Sequence, residues 1–257
     1  MRISILFFCF LLSQSLFAQR FSMGAYVFGI NSINQYTPGS DRLEGLRTGF
    51  APATSWGLEF RYKLAGEKHF LVAGAGSIGQ KIRYNFARTP VTSPCANCML
   101  QQQSSSVNYD LGVHLGYGQN WFFKNQRHGI SWEVGGLLRR MYFGAGNPGV
   151  GFLPAAPSIG SGQEVLRTHE VFASEDEQMY HPSLYARIGY FFKGKKNSRR
   201  TYLLSLIYNH GLKDARYLNV EYSDFGNGKF YRMGLAADGT YLGLGCVLYY
   251  DLGKRSG

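Results

Sequence analysis

The chain has 257 residues and a formal charge of +11. One all-β domain of about 200–250 residues fits within that length. Beyond the first eighteen residues no run approaches the about 18 consecutive apolar residues of a spanning helix. That excludes a helical membrane protein but not a barrel, whose alternating strands keep mean hydropathy modest.

Arg2, the apolar run Ile3 to Leu12 and then Leu16-Phe17-Ala18 have the layout of a secretory signal peptide. Cleavage after Ala18 is expected, so residues 1–18 are the signal and 19–257 the mature domain, which begins at Gln19. Eight strands follow, expected at about 20–30, 55–64, 70–83, 107–118, 130–142, 183–192, 201–212 and 240–252. The cleanest is 55–64, where Trp56, Leu58, Phe60, Tyr62 and Leu64 alternate with Ser55, Gly57, Glu59, Arg61 and Lys63. In 107–118 Val107, Tyr109, Leu111, Val113, Leu115 and Tyr117 alternate with polar residues and glycines. In 130–142 Ile130, Trp132, Val134 and Leu138 face away from Ser131, Glu133 and Arg139.

Connections between these strands run long, short, long, short, long, short, long. The long ones are expected at 31–53, 84–106, 143–182 and 213–239, and the short ones at 65–69, 119–129 and 193–200. Short periplasmic turns with longer external loops, an even strand count and both termini on one side describe a transmembrane barrel. A soluble barrel would bury the apolar face instead. The aromatic residues argue against it, with Tyr62, Trp121, Phe122, Tyr190, Phe192, Tyr202 and Tyr250 near the short turns and Tyr84, Tyr109, Tyr142 and Tyr208 near the long loops. The expected fold is therefore all-β, an eight-stranded antiparallel up-and-down transmembrane barrel.

The mature chain resembles small outer-membrane β-barrel proteins of the porin-like or OmpA/OmpX-like kind. Its signal ending Phe17-Ala18-Gln19, and its last strand from Tyr241-Leu242-Gly243-Leu244-Gly245 to Tyr249-Tyr250-Asp251-Leu252, are similar to Bacteroidota versions. The resemblance implies fold and location in the bacterial outer membrane, and no activity. It departs from many relatives in extending past Tyr249-Tyr250 by Gly253-Lys254-Arg255-Ser256-Gly257.

An eight-stranded barrel is only wide enough for its side chains to fill, so wall charges facing the lumen must pair. The expected lattice sets Glu59, Asp110, Glu133 and Asp251 against Arg61, Lys63, Lys81, Arg83, Arg139 and Arg187, with His114 opposite Glu133. Arg140 falls on the apolar parity. The short turns and tail hold ten basic residues, Lys68, Lys124, Arg127, Lys193, Lys195, Lys196, Arg199, Arg200, Lys254 and Arg255, against Glu67 alone. The long loops hold eight basic and eleven acidic residues. The basic rim, centred on Lys193 to Arg200, is either a solvated end or a docking surface for anionic headgroups or an acidic partner. Export argues against nucleic acid.

Cys95 and Cys98 form a close pair that an oxidising compartment would bridge, and Cys246 is expected to face lipid unbridged. A lone C-x-x-C is a weak metal signal, and the acidic loop Glu175-Asp176-Glu177 with Glu164, Glu170 and His169 lacks calcium-loop spacing. His114, His169, His181 and His210 have no nucleophile at a useful spacing, so no catalytic, cofactor or metal residue is assigned. The expected role is that of a non-enzymatic structural or accessory subunit of an envelope complex, without a cofactor. Its expected partners are outer-membrane lipid and an acidic periplasmic or membrane protein. A narrow channel for small solutes and a membrane-embedded hydrolase are the alternatives.

Overall fold

The computed structural model describes residues 21–33, 35–36, 46–48, 50–64, 68–88, 100–124, 126–140, 164–172, 180–194, 199–213, 216–224 and 229–252. The expected signal, Cys95, Cys98, Glu175 to Glu177, Lys195, Lys196, Lys254 and Arg255 lie outside them. Among the described residues every regular element is a strand. Eight of them form the barrel: β1 (Phe21–Ser32), β2 (Ala51–Lys63), β3 (His69–Arg88), β4 (Leu100–Phe122), β5 (His128–Arg140), β6 (Tyr180–Lys193), β7 (Arg200–Gly211) and β8 (Tyr241–Asp251). Each pairs antiparallel with its neighbours in sequence, and β8 closes on β1 with Met23 opposite Tyr250 and Ile30 opposite Gly243. Closure leaves no unpaired strand edge, which is the condition for crossing hydrocarbon.

The alternation read from the sequence sets the two faces, and they are inverted relative to a water-soluble protein. On β2, Ser55, Glu59 and Arg61 are buried while Trp56, Leu58 and Phe60 are exposed. On β4, Leu111, Val113 and Leu115 are exposed and Asp110 is buried. The same holds around the barrel, with Leu184, Ile188, Leu204, Leu206, Leu242 and Leu244 outward. A soluble monomer rarely exposes an apolar patch beyond a few hundred Å², and this band encircles the molecule. The outer wall is a hydrocarbon-facing belt. Trp121, Tyr190, Phe192 and Tyr250 lie on it toward the short turns, and Tyr109 and Tyr208 toward the long loops. Cys246 is free and outward, and Arg140 is outward as its parity requires. Phe122 departs from the expected belt: it turns inward and packs edge-on against Phe191 at 5.3 Å.

The long connections carry more structure than the sequence indicated. The β3–β4 hairpin stays paired from His69 opposite Gln119 to Arg88 opposite Leu100, well beyond the barrel rim. Leu46–Thr48 pairs along its edge at Phe86 to Tyr84. Gln35–Tyr36, Lys229–Ala237, Arg216–Asp224 and Glu164–Phe172 form a separate four-stranded sheet at the same end.

Inward glycines shape the core. A Cβ at Gly74 would overlap the His114 ring, one at Gly76 the Tyr26 hydroxyl, and one at Gly116 the Tyr185 hydroxyl. Large rings fill the space that these glycines leave, His114 from the strand beside Gly74 and Tyr26 and Tyr185 from two strands away, as a narrow barrel requires.

Candidate functional site

The lumen is crossed at mid-height by a charged septum. Arg187 on β6 lies beside Glu133 on β5, its cross-strand neighbour. It also reaches Glu59 on β2, four strands away and so on the opposite wall. Its Nη1 donates to Glu59 Oε2 at 3.0 Å, and its Nη2 to Glu59 Oε1 at 2.9 Å and Glu133 Oε2 at 2.5 Å. Arg61 Nη2 donates to Glu133 Oε2 at 3.2 Å. The Tyr185 hydroxyl donates to Glu133 Oε1 at 2.8 Å, and the Tyr249 hydroxyl to Glu59 Oε1. His114 Nε2 stands 3.5 Å from Glu59 Oε2.

Two carboxylates and two guanidiniums thus neutralise one another where Glu59 is 0% and Glu133 1% exposed. Each buried ion costs several kcal/mol to desolvate, so the cluster holds only as a complete set. The Arg61 guanidinium is sandwiched between the Phe70 ring at 4.2 Å and the Tyr249 ring at 4.1 Å, which adds cation–π attraction.

The septum separates two cavities. On the long-loop side the walls are apolar, with Phe28, Ile30, Ile78, Leu137 and Ile207 above the septum. Toward the mouth, Arg139 Nη2 lies 3.0 Å from His181 Nδ1, and His181 Nε2 bonds the Lys213 carbonyl. Residues 238–240 fold against this layer. Asn209 Nδ2 donates to the Gly239 carbonyl at 2.9 Å, and the Thr240 carbonyl accepts from the Ile33 amide at 2.9 Å. Gly239 has φ +76°, and a Cβ there would overlap the Arg139 guanidinium. On the short-turn side the cavity is lined by Ser22, Lys63, Phe70, Asn120, Phe122, Phe191, Lys193, Thr201, Tyr249 and Asp251, under Arg61. There Lys63 Nζ and Ser22 Oγ both donate to Asp251 Oδ1, at 2.8 and 2.5 Å.

Of the residues expected in the lumen, Glu59, Arg61, His114, Glu133 and Arg187 meet in the septum, and Lys63 and Asp251 pair below it. Asp110 is buried on β4, and Arg139 is buried beside His181. Three expectations need correction. Lys81 and Arg83 do not take lumen-facing positions on β3. Gly74, Gly76, Ile78 and Gln80 take the inward positions of β3, so these two fall on the other parity. The Lys81 amide bonds Ser32 Oγ at 3.1 Å, and Arg83 Nη1 donates to the Phe50 carbonyl at 3.1 Å. His114 does not oppose Glu133. Strand β4 continues to Phe122, which shifts the register, so His114 lies opposite Leu137 and Gly118 opposite Glu133. Lys193 is not on an outer rim. It ends β6 on the inward parity, with Nζ 4.9 Å above the Phe122 ring.

Of the other rim residues, Lys124, Arg127 and Arg200 are exposed and Arg199 is half-buried. The remaining histidines are dispersed. His210 Nδ1 is 3.4 Å from Thr240 Oγ1, and His169 pairs with Asn219 in the outer sheet. The contacts of His114 beyond Glu59 are the rings of Tyr26 and Tyr185, at 6.0 and 5.7 Å. Tyr185, Tyr249 and Phe70 belong to the septum and were not expected in the lumen from the sequence. The signal was available for two of them, since Tyr185 shares parity with Arg187, and Tyr249 with Asp251.

No family model matches the chain, and no curated protein is similar to it in sequence. Among solved structures, outer-membrane β-barrels align with the chain at low identity and with TM-scores below 0.5. The outer membrane protein OprG from Pseudomonas aeruginosa matches at 9% identity and TM-score 0.43, over 90% of this chain and 95% of that one. The N-terminal β-barrel domain of Pseudomonas aeruginosa OprF matches at 10% identity and TM-score 0.37, over 89% and 97%. The P. putida toluene transporter TodX matches at 13% identity and TM-score 0.32, over 88% of this chain and 57% of that one.

Proposed function

We propose that this chain is a non-enzymatic barrel of the bacterial outer membrane, exported through a signal cleaved after Ala18. In this reading it serves as a structural or accessory subunit of the envelope and does not carry solutes. The hydrocarbon-facing belt supports the location, and the similarity to Bacteroidota barrels rests on the signal ending and last strand alone. The observation that carries the role is the septum: Arg187 bridges opposite walls, and passage would break a buried cluster of ions. The bound state of His114 supports a non-catalytic reading, since its nearest charged neighbour is already held by Arg187.

Purified protein in planar bilayers is expected to give no stable conductance. Reproducible single-channel steps would replace this reading with that of a narrow channel. Docking of an acidic periplasmic or membrane partner at the exposed rim is the corresponding proposal for the accessory role. Replacing Lys195, Lys196, Arg199 and Arg200 by Gln is expected to leave the barrel folded and to reduce co-purification of that partner. Unchanged co-purification at every salt concentration would leave the rim a solvated end.

A further inference from the structure

Three cations stand on the outward parity at the long-loop end of the hydrocarbon belt, where neither the sealed lumen nor the basic rim at the other end accounts for them. Arg140 ends β5 opposite Leu111, and Lys81 on β3 lies opposite Val107. Each is therefore a diagonal neighbour of Tyr109 on β4, about 7–8 Å away between Cα atoms, one on either side of it. Arg83 follows two residues beyond Lys81 on the same face, its Nη1 held by the Phe50 carbonyl at 3.1 Å. Tyr109 and Phe50 are both exposed here, and the Tyr109 hydroxyl lies 3.3 Å from Thr54 Oγ1.

The elements that carry these cations bring no opposing charge of their own. The sequence has no aspartate or glutamate from 79 to 109, which covers the upper β3–β4 hairpin, or from 140 to 163, which follows β5. Asp110, next along β4, is turned into the lumen and buried. The acidic residues of the long connections come from 41–44, 164–177 and 214–238 instead. All three cations also make contacts within the protein, so a ligand joins these contacts rather than filling an empty charge. Toward mid-height β3 turns the small Ala75 and Ser77 outward. They lie between the exposed Leu58 and Trp56 on β2 and Val113 and Leu111 on β4, which leaves a shallow channel one strand wide below Tyr109.

We propose that this face binds a bisphosphorylated, acylated glycolipid of the outer leaflet. One phosphate meets Lys81 and Arg83 on one side of Tyr109 and the other meets Arg140 across it. The sugar body lies on the exposed ring, and an acyl chain follows the channel along β3. Arginine and lysine give phosphate charge-assisted hydrogen bonds, and at the end of a hydrocarbon belt their heads reach headgroups while their stems stay on apolar surface. A glycerophospholipid carries its phosphate at one point and engages one side of the ring. The leaflet rests on the proposed outer-membrane location with the long loops external; the binding geometry does not.

The test uses the folded full-length mature protein in non-ionic micelles, with bound lipid counted by native mass spectrometry. The probes are purified bisphosphoryl lipid A, its monophosphoryl form and phosphatidylglycerol. Saturable binding of the bisphosphoryl lipid is expected. The monophosphoryl form should bind about tenfold more weakly, for the loss of one charge-assisted contact, and phosphatidylglycerol more weakly still. Lys81→Gln/Arg83→Gln and Arg140→Gln should each weaken binding of the bisphosphoryl lipid, and Arg140→Lys should retain more of it than Arg140→Gln. The two sides are substituted separately, so the test stays decisive if one variant fails to fold. Lys124→Gln/Arg127→Gln, at the opposite end, should bind like the unmodified protein. Absence of saturable binding overturns the proposal. So does equal affinity for phosphatidylglycerol, or affinity unchanged by substitution on either side of Tyr109. A micelle has no leaflets and the readout involves no conductance, so this site fails separately from the location and from the sealed lumen.

Discussion

Arg187 donates to both Glu59 and Glu133, and Arg61 alone cannot neutralise two carboxylates, so its loss leaves buried charge uncompensated. Removing one partner from a buried pair costs about 3–5 kcal/mol. Arg187→Leu is therefore expected to lower the urea midpoint for unfolding from lipid vesicles by a corresponding amount. The exposed Lys124→Gln should change it by less than about 0.5 kcal/mol. Equal midpoints for the two would mean that the septum adds nothing to stability.

Tyr185 offers a finer test, because Gly116 on β4 leaves the space its hydroxyl occupies. Gly116→Ala should displace the hydroxyl from Glu133, and overpacking of this kind costs about 1–3 kcal/mol. Tyr185→Phe has no hydroxyl to displace, so adding Gly116→Ala to it should cost less than in the parent. A fully additive double variant would separate the two residues.

Among the elements, the strands of clean alternation were legible and the irregular ones were not. Strand β2 reads directly as one apolar and one charged face, and its faces stand as read. In β3 the stretch Ala73-Gly74-Ala75-Gly76-Ser77 gives no contrast between faces, so a parity error of one carried Lys81 and Arg83 into the lumen. The turn between β4 and β5 was placed too early because Gln119-Asn120 has turn-like composition. Its residues instead extend the ladder, with Asn120 opposite Ser131. The strands of the separate four-stranded sheet escaped notice because they pair with one another rather than with the barrel, and Leu46–Thr48 because it pairs only with the extension of β3.

The closing segment 238–240 also belongs to this scale. Gly239 alone fits its φ of +76° against the Arg139 guanidinium, since a side chain is strained there. Gly239→Ala should speed hydrogen exchange at Ile33 and Gly211, whose amides bond the Thr240 carbonyl and hydroxyl. Exchange at the mid-barrel ladder should stay unchanged. Unaltered exchange at both amides would show that the segment closes the mouth without Gly239.

For the whole molecule, the outward face decides between membrane and water. The fold class was legible because hydrophobic period and connection length point the same way. The septum was legible as a set of opposite charges but not as a geometry, because which wall faces which depends on closure. The natural probes of the outer face are the three tryptophans. Trp56 and Trp121 are 58% and 54% exposed, and Trp132 lies on the same outward parity of β5. Refolding into vesicles whose acyl chains carry bromine, with intrinsic fluorescence compared against unbrominated lipid, reads that face without any substitution. A barrel with its apolar face in hydrocarbon gives strong quenching by the brominated chains. Unquenched fluorescence, from protein that folds in water and stays off the vesicles, would mean that the apolar face is not in lipid and that the barrel does not span a membrane.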